Sequence, residues 1–173
     1  MMRANGLFLA MFAALAACSP ASDANLASGS TEVISAPVDG DVRHPLSGLQ
    51  VIDLTVTSGN TAHIFRVELA DTDEAQTRGL MFRNELGDYE GMLFPSEGPE
   101  ERSFWMKNTP LSLDIIFVGV DGRVLNIAAN TEPYSTLSVS SAGLTSSVLE
   151  LRGGRAAELG IKPGDKVEYS LPE

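Results

Sequence analysis

From Val51 to Leu69 the apolar positions recur mostly every second residue, the period of a strand with one face buried, rather than every third or fourth. Val51-Ile52-Asp53-Leu54-Thr55-Val56 and Ala62-His63-Ile64-Phe65-Arg66-Val67-Glu68-Leu69 alternate in this way. Ser58-Gly59-Asn60 between them supplies the positive-φ residues of a tight turn, so the two runs predict a hairpin. A short helix over 72–78 follows, with Asp71 as its cap, Glu74 at the third position and Gly79 as a left-handed stop. The runs at 91–94 and 103–106 are apolar and short, and at that length they read as strands. A strand over 114–120, a type I′ turn at Asp121-Gly122 and a returning strand over 123–127 form the clearest pattern in the chain. Residues 131–146 are rich in Ser and Thr and predict a long loop, either a binding loop or a mobile one. A strand at 147–151, a one- or two-turn helix over 155–159 ended by Gly160, a turn at Pro163-Gly164-Asp165 and a strand at 166–169 complete the pattern.

About seven short strands and two short helices place the domain in the α+β class, β-dominated. The expected architecture is a mainly antiparallel mixed sheet curled into a partial barrel, which limits exposed strand edges.

The first residues follow a different logic. Arg3 precedes an apolar stretch from Gly6 to Ala17 and small residues, the layout of a secretory signal over 1–17. Leu15-Ala16-Ala17-Cys18 resembles the bacterial lipobox, which implies an acylated Cys18 as mature N-terminus and a membrane anchor there. Cys18 is the only cysteine, so an exported chain has no internal disulfide to use it in, and acylation gives the thiol a role. Ser19 after it resembles the signal for the outer membrane in a two-membrane envelope, with the domain facing the periplasm. Residues 18–48, dominated by Ala, Ser, Asp, Pro and Gly, bury too little to offset their ordering entropy and read as a tether, with His44 solvated within it. Residues 49–173 form the single globular domain. A net charge of −11 repels a phosphate backbone and argues against nucleic acid as a partner. No second apolar run approaches the roughly 20 residues that span a bilayer.

The segment from Phe104 to Asp114 carries the densest candidate chemistry. Trp105, Lys107 and Asn108 stand together ahead of Pro110, with Asp114 four residues beyond it. On a strand, Phe104 and Met106 face one side and Trp105 and Lys107 the other. An aromatic face beside an amide, a cation and a carboxylate suits a ligand that is partly apolar and partly polar, such as a sugar. The same residues also fit a core tryptophan with a fixed turn around Pro110. Arg78 and Arg83 flank Gly79 and can clamp a carboxylate, or pair with Glu85, Asp88 or Asp114 as structural ion pairs. A hydrolase or transferase has only Asp114, Lys107 and His63 to build on, and no serine sits in a nucleophile elbow. Met81, Met92 and Met106 with His63 compose a soft copper site only on composition, and methionines in apolar runs are ordinarily core fillers. No metal and no cofactor is expected.

Five ordered motifs resemble a known family: Arg78-Gly79-Leu80-Met81-Phe82-Arg83, Gly91-Met92-Leu93-Phe94, Phe104-Trp105-Met106-Lys107-Asn108-Thr109, Leu113-Asp114-Ile115-Ile116-Phe117, and the run from Ala156 to Val167. In this order and spacing, over about 51–169, they are similar to domain-of-unknown-function family 192. The resemblance implies a single compact β-rich domain, often exported, and supplies no reaction or ligand. Some members carry cysteines in the stretch matching 132–142, where this sequence has none. The expected function is a membrane-tethered envelope module binding a small ligand, a glycan or an envelope protein. The alternatives are an envelope hydrolase or transferase, and an assembly lipoprotein with no small-molecule site.

Overall fold

The computed structural model describes residues 42–172. The expected signal peptide, Cys18 and most of the tether lie outside the described residues.

Among the described residues, nine strands and two short helices follow one another as β1 (Val51–Ser58), β2 (Thr61–Leu69), α1 (Asp73–Arg78), β3 (Glu90–Glu100), β4 (Ser103–Phe104), β5 (Leu113–Gly119), β6 (Val124–Ala128), β7 (Val139–Ser140), β8 (Thr145–Arg152), α2 (Arg155–Glu158) and β9 (Lys166–Tyr169). Seven strands make one mixed sheet in the order β6-β5-β8-β3-β2-β1-β9, and β4 pairs with β7 in a small ribbon. Every pairing is antiparallel except β2 with β3. The edge strands β6 and β9 are linked only by a bridge between Arg123 and Lys166, so the sheet is not a closed barrel. Among the described residues no helix is long and apolar enough to cross a membrane.

The sheet is buried on both faces at its centre, which is why β5 reads as a continuous apolar run over 115–118 and all its residues, Asp114 included, are buried. One face packs Leu54, Val56, Phe65, Val67, Leu149 and Leu151 with Ala156 of α2. The other packs Met92, Phe94, Leu113, Ile115 and Phe117 under Ala75 of α1, Leu80, Leu86 and Met106. Phe104 closes this second core edge-on against Phe94 at 5.1 Å and Phe117 at 6.2 Å between ring centres.

The expected hairpin is present, with Gly59 in the left-handed region of its turn. Four local expectations need correction. Thr72, not Asp71, caps α1: its backbone is extended and its hydroxyl accepts from the Ala75 amide, so the helix starts at Asp73. Gly79 ends that helix at φ 49° and ψ −138°, a combination open to glycine rather than the expected left-handed cap. The β5–β6 turn is not type I′, because only Gly122 has a positive φ; the Gly122 amide closes it on the Gly119 carbonyl at 2.9 Å. The run at 103–106 stays a strand only to Phe104, and the long loop after it contains β7. Residues 42–48 also differ from a solvated tether. The Arg43–Gln50 bridge folds them back on β1, and His44 faces Glu68 and Arg83.

Pairing across the sheet sets Ile115, Glu150, Met92, Glu68 and Val51 in one row on one face. The two acids in it are treated differently. Arg83 donates to Glu68 at 2.9 Å and the Ser47 hydroxyl at 2.5 Å. Glu150 has no such support, and burial alone pushes its carboxyl from 4.5 up to about 8. The folded protein therefore keeps a proton that the unfolded chain releases above its ordinary carboxylate pKa. Stability from this group falls as pH rises from 4.5 to about 8 and is level outside that window. Glu150→Gln is expected to stabilise the protein by roughly 3–5 kcal/mol at the alkaline end of this window and by little at the acid end. Urea unfolding of both proteins across the range checks this; a difference that does not change with pH means the carboxyl is ionised in the fold.

Candidate functional site

Beside α1 lies an open groove of about 610 Å³ bordered by Arg78, Met81, Trp105, Lys107 and Asn108. α1 supplies the arginine from its last turn. The turn after α1 supplies Met81, and the chain leaving β4 supplies Trp105, Lys107 and Asn108, because Met106 turns into the core while its neighbours Trp105 and Lys107 stay outside. The alternation expected for 104–107 thus survives although the strand stops at Phe104. Trp105 is 47% exposed, and the Lys107 ammonium sits 5.0 Å from its ring centre. Asn108 holds a left-handed backbone and its side-chain amide reaches the Met81 sulfur at 3.8 Å. Arg78 has no ion-pair partner among the described residues, although Asp73 and Glu74 also line the groove.

Four of the six expected ligand residues therefore meet: Trp105, Lys107, Asn108 and Arg78. Asp114 lies elsewhere. It is fully buried on the α2 side, where one oxygen accepts the Asn130 amide at 2.8 Å and the Gly154 amide at 3.0 Å, and the other accepts the Ala156 amide at 2.8 Å. Its job is to cap α2 and pin two loops, since Gly154 offers the helix no side-chain cap. Arg83 is the partner of buried Glu68, with only 12% of its side chain exposed. His63 is buried in β2 with Nε2 unpartnered, while Met92 and Met106 are core residues and Met81 borders the groove. Among the described residues no group of His, Cys, Asp and Glu is arranged to hold a metal ion.

The sequence gives no signal for a further feature of the same surface. Phe82 and Tyr134 have positive φ, 64° and 62°, and are 65% and 63% exposed. For bulky residues this conformation costs roughly 1–2 kcal/mol each. Backbone bonds hold both against the Trp105 segment: the Phe82 amide donates to the Asn108 carbonyl at 2.8 Å, and the Tyr134 amide to the Thr109 carbonyl at 3.0 Å. A second hollow, of about 830 Å³, runs along β1, β9 and the tail over 170–172, and it brings together none of the expected residues.

The model of the family DUF192, described as an uncharacterized ACR, matches residues 54–169. The chain belongs to this family. Among solved structures, a protein of unknown function from Novosphingobium aromaticivorans DSM 12444 is 56% identical, with a TM-score of 0.73 over 76% of this chain and 94% of that one. A protein of Sinorhizobium meliloti 1021, named as a proposed transcription regulator, is 32% identical, with a TM-score of 0.68 over 75% of this chain and 98% of that one. The comparison with curated proteins gives no match.

Asp114→Ala is expected to cost roughly 3–5 kcal/mol, because three buried amides lose their acceptor at once. Lys107→Ala is expected to stay within about 0.5 kcal/mol, as for an exposed side chain. Chemical denaturation of the two variants checks this contrast, and equal losses would mean that Lys107 supports the fold.

Proposed function

We propose that this DUF192 protein is an exported lipoprotein, acylated at Cys18 and facing the periplasm, whose domain is a glycan-binding module with its site in the groove beside α1. The observation that carries the reading is Trp105, the chain's single tryptophan, half-exposed beside two cations and an amide. An aromatic face takes the apolar C–H side of a sugar ring, and Lys107, Arg78 and Asn108 take its hydroxyls or an acidic substituent. Lys107 leans on the ring and is free to exchange that weak contact for a ligand, since it has no carboxylate partner among the described residues. The curled sheet, read as a partial barrel joined at Arg123–Lys166, holds the loops around the groove. The charge of −11 supports a partner other than nucleic acid, and it makes the two groove cations a local exception. Burial of Asp114 beneath its three amides weighs against the alternative of a hydrolase using Asp114 and Lys107.

The single tryptophan makes the groove its own reporter. Titration of the full chain with N-acetylglucosamine, glucose and galacturonate is expected to give a saturable change in Trp105 fluorescence with at least one sugar, weakened about tenfold or more by Arg78→Ala. No saturable change with any of them sinks the glycan reading. The anchor is tested separately: Cys18→Ser is expected to release the protein from the membrane fraction, and the mass of the parent to include acyl chains. A parent without them overturns the lipoprotein proposal.

A further inference from the structure

We infer that the binding surface runs past the groove across Phe82 and Tyr134, so that the site takes several consecutive units of a glycan chain rather than one sugar. This rests on the glycan reading of the groove and names the class of substrate: a polymer.

The argument starts from backbone strain. Among the described residues, four non-glycines have positive φ: Phe82, Asn108, Asn130 and Tyr134. Asparagine tolerates that conformation and bulky aromatics do not. Burial does not explain the two aromatics, since both side chains are mostly in solvent. Fold stability by itself therefore favours glycine at 82 and 134. What the strained backbone achieves is to present two rings to solvent on segments tied to one chain.

That chain is the Trp105 segment. Phe82 is bonded to Asn108, Tyr134 to Thr109, and the Met106 amide donates to the Ser135 carbonyl at 2.9 Å. Three segments thus lie side by side with an aromatic residue on each. Two of the rings have polar or charged residues close by in sequence: Lys107 and Asn108 near Trp105, Glu132 and Ser135 near Tyr134. A protein interface has a contiguous apolar centre depleted of charge. Isolated rings interspersed with charge and amide groups suit a chain whose units each present a C–H face and a hydroxyl edge.

Phe82→Gly and Tyr134→Gly test this, because glycine removes the ring and fits the backbone. Binding of N-acetylglucosamine and its β-1,4-linked oligomers to the full chain is measured by Trp105 fluorescence and calorimetry. Affinity is expected to rise about tenfold or more from monomer to the longer oligomers. Each variant is expected to lose about tenfold for the long oligomers, to bind the monomer as the parent does, and to keep or gain thermal stability. If the parent binds monomer and oligomers equally, the extended site is wrong and the groove reading stands. If neither binds, while the other sugars also leave Trp105 unchanged, both fall. Variants that melt several degrees lower yet keep the full gain with length would make the two rings structural and overturn the inference.

Discussion

The surface around Trp105 depends on a carboxylate that never reaches it. Asp114, buried in the second strand of the sheet, accepts three backbone amides and so fixes where residues 130 and 154–156 begin. From there the order propagates by backbone bonds. Thr131 is held to Leu113 by its amide at 2.9 Å, Tyr134 to Thr109, Ser135 to Met106, and Asn108 to Phe82. Loops with so little regular structure stay in one arrangement only because each segment's amides end on a neighbour that is itself anchored. The buried acid is thus a positioning residue for the aromatic surface, at the remove of several hydrogen bonds.

The same sheet shows two ways of carrying an acid indoors. Glu68 accepts from Ser47 and Arg83, drawn from either side of it in sequence, and lies 3.5 Å from His44 Nδ1, so that the stretch before β1 folds onto the domain. Glu150 has none, and burial leaves it protonated over the neutral range. A neutral carboxyl between Met92 and Ile115 behaves as a slightly polar core residue, which lets β8 stay central while carrying an acid.

Regular elements were legible because their signals are local. The alternation of Val51–Val56 and Ala62–Leu69 marked a hairpin, and the Gly59 and Gly122 turns were visible as glycines, although the type of the second was misjudged. Helix α1 was placed to within a residue, while its cap was assigned to Asp71 and belongs to Thr72, since two adjacent cap-formers cannot be ranked without knowing which one leaves the extended chain. The groove residues Arg78, Trp105, Lys107 and Asn108 were found because their chemistry is concentrated in two short motifs. Asp114 was grouped with them for its proximity in sequence. β5 then carries it to the α2 side of the sheet, where its partners come from residues up to 42 positions away.

Composition and order of residues by themselves determined the β-dominated class, the places of both helices and of the long strands, and membership of the DUF192 pattern, for all of these rest on periods and spacings within a few residues, whereas the β4–β7 ribbon and the length of β3 came from pairing. Tertiary structure alone decided that Asp114 and Arg83 belong to the scaffold and that Phe82 and Tyr134 flank Trp105. The physical reason is that burial, ion pairing and backbone strain depend on which distant segment lies alongside. No local pattern marks a phenylalanine or a tyrosine as left-handed; the hydrogen bonds of the packed loops hold them there.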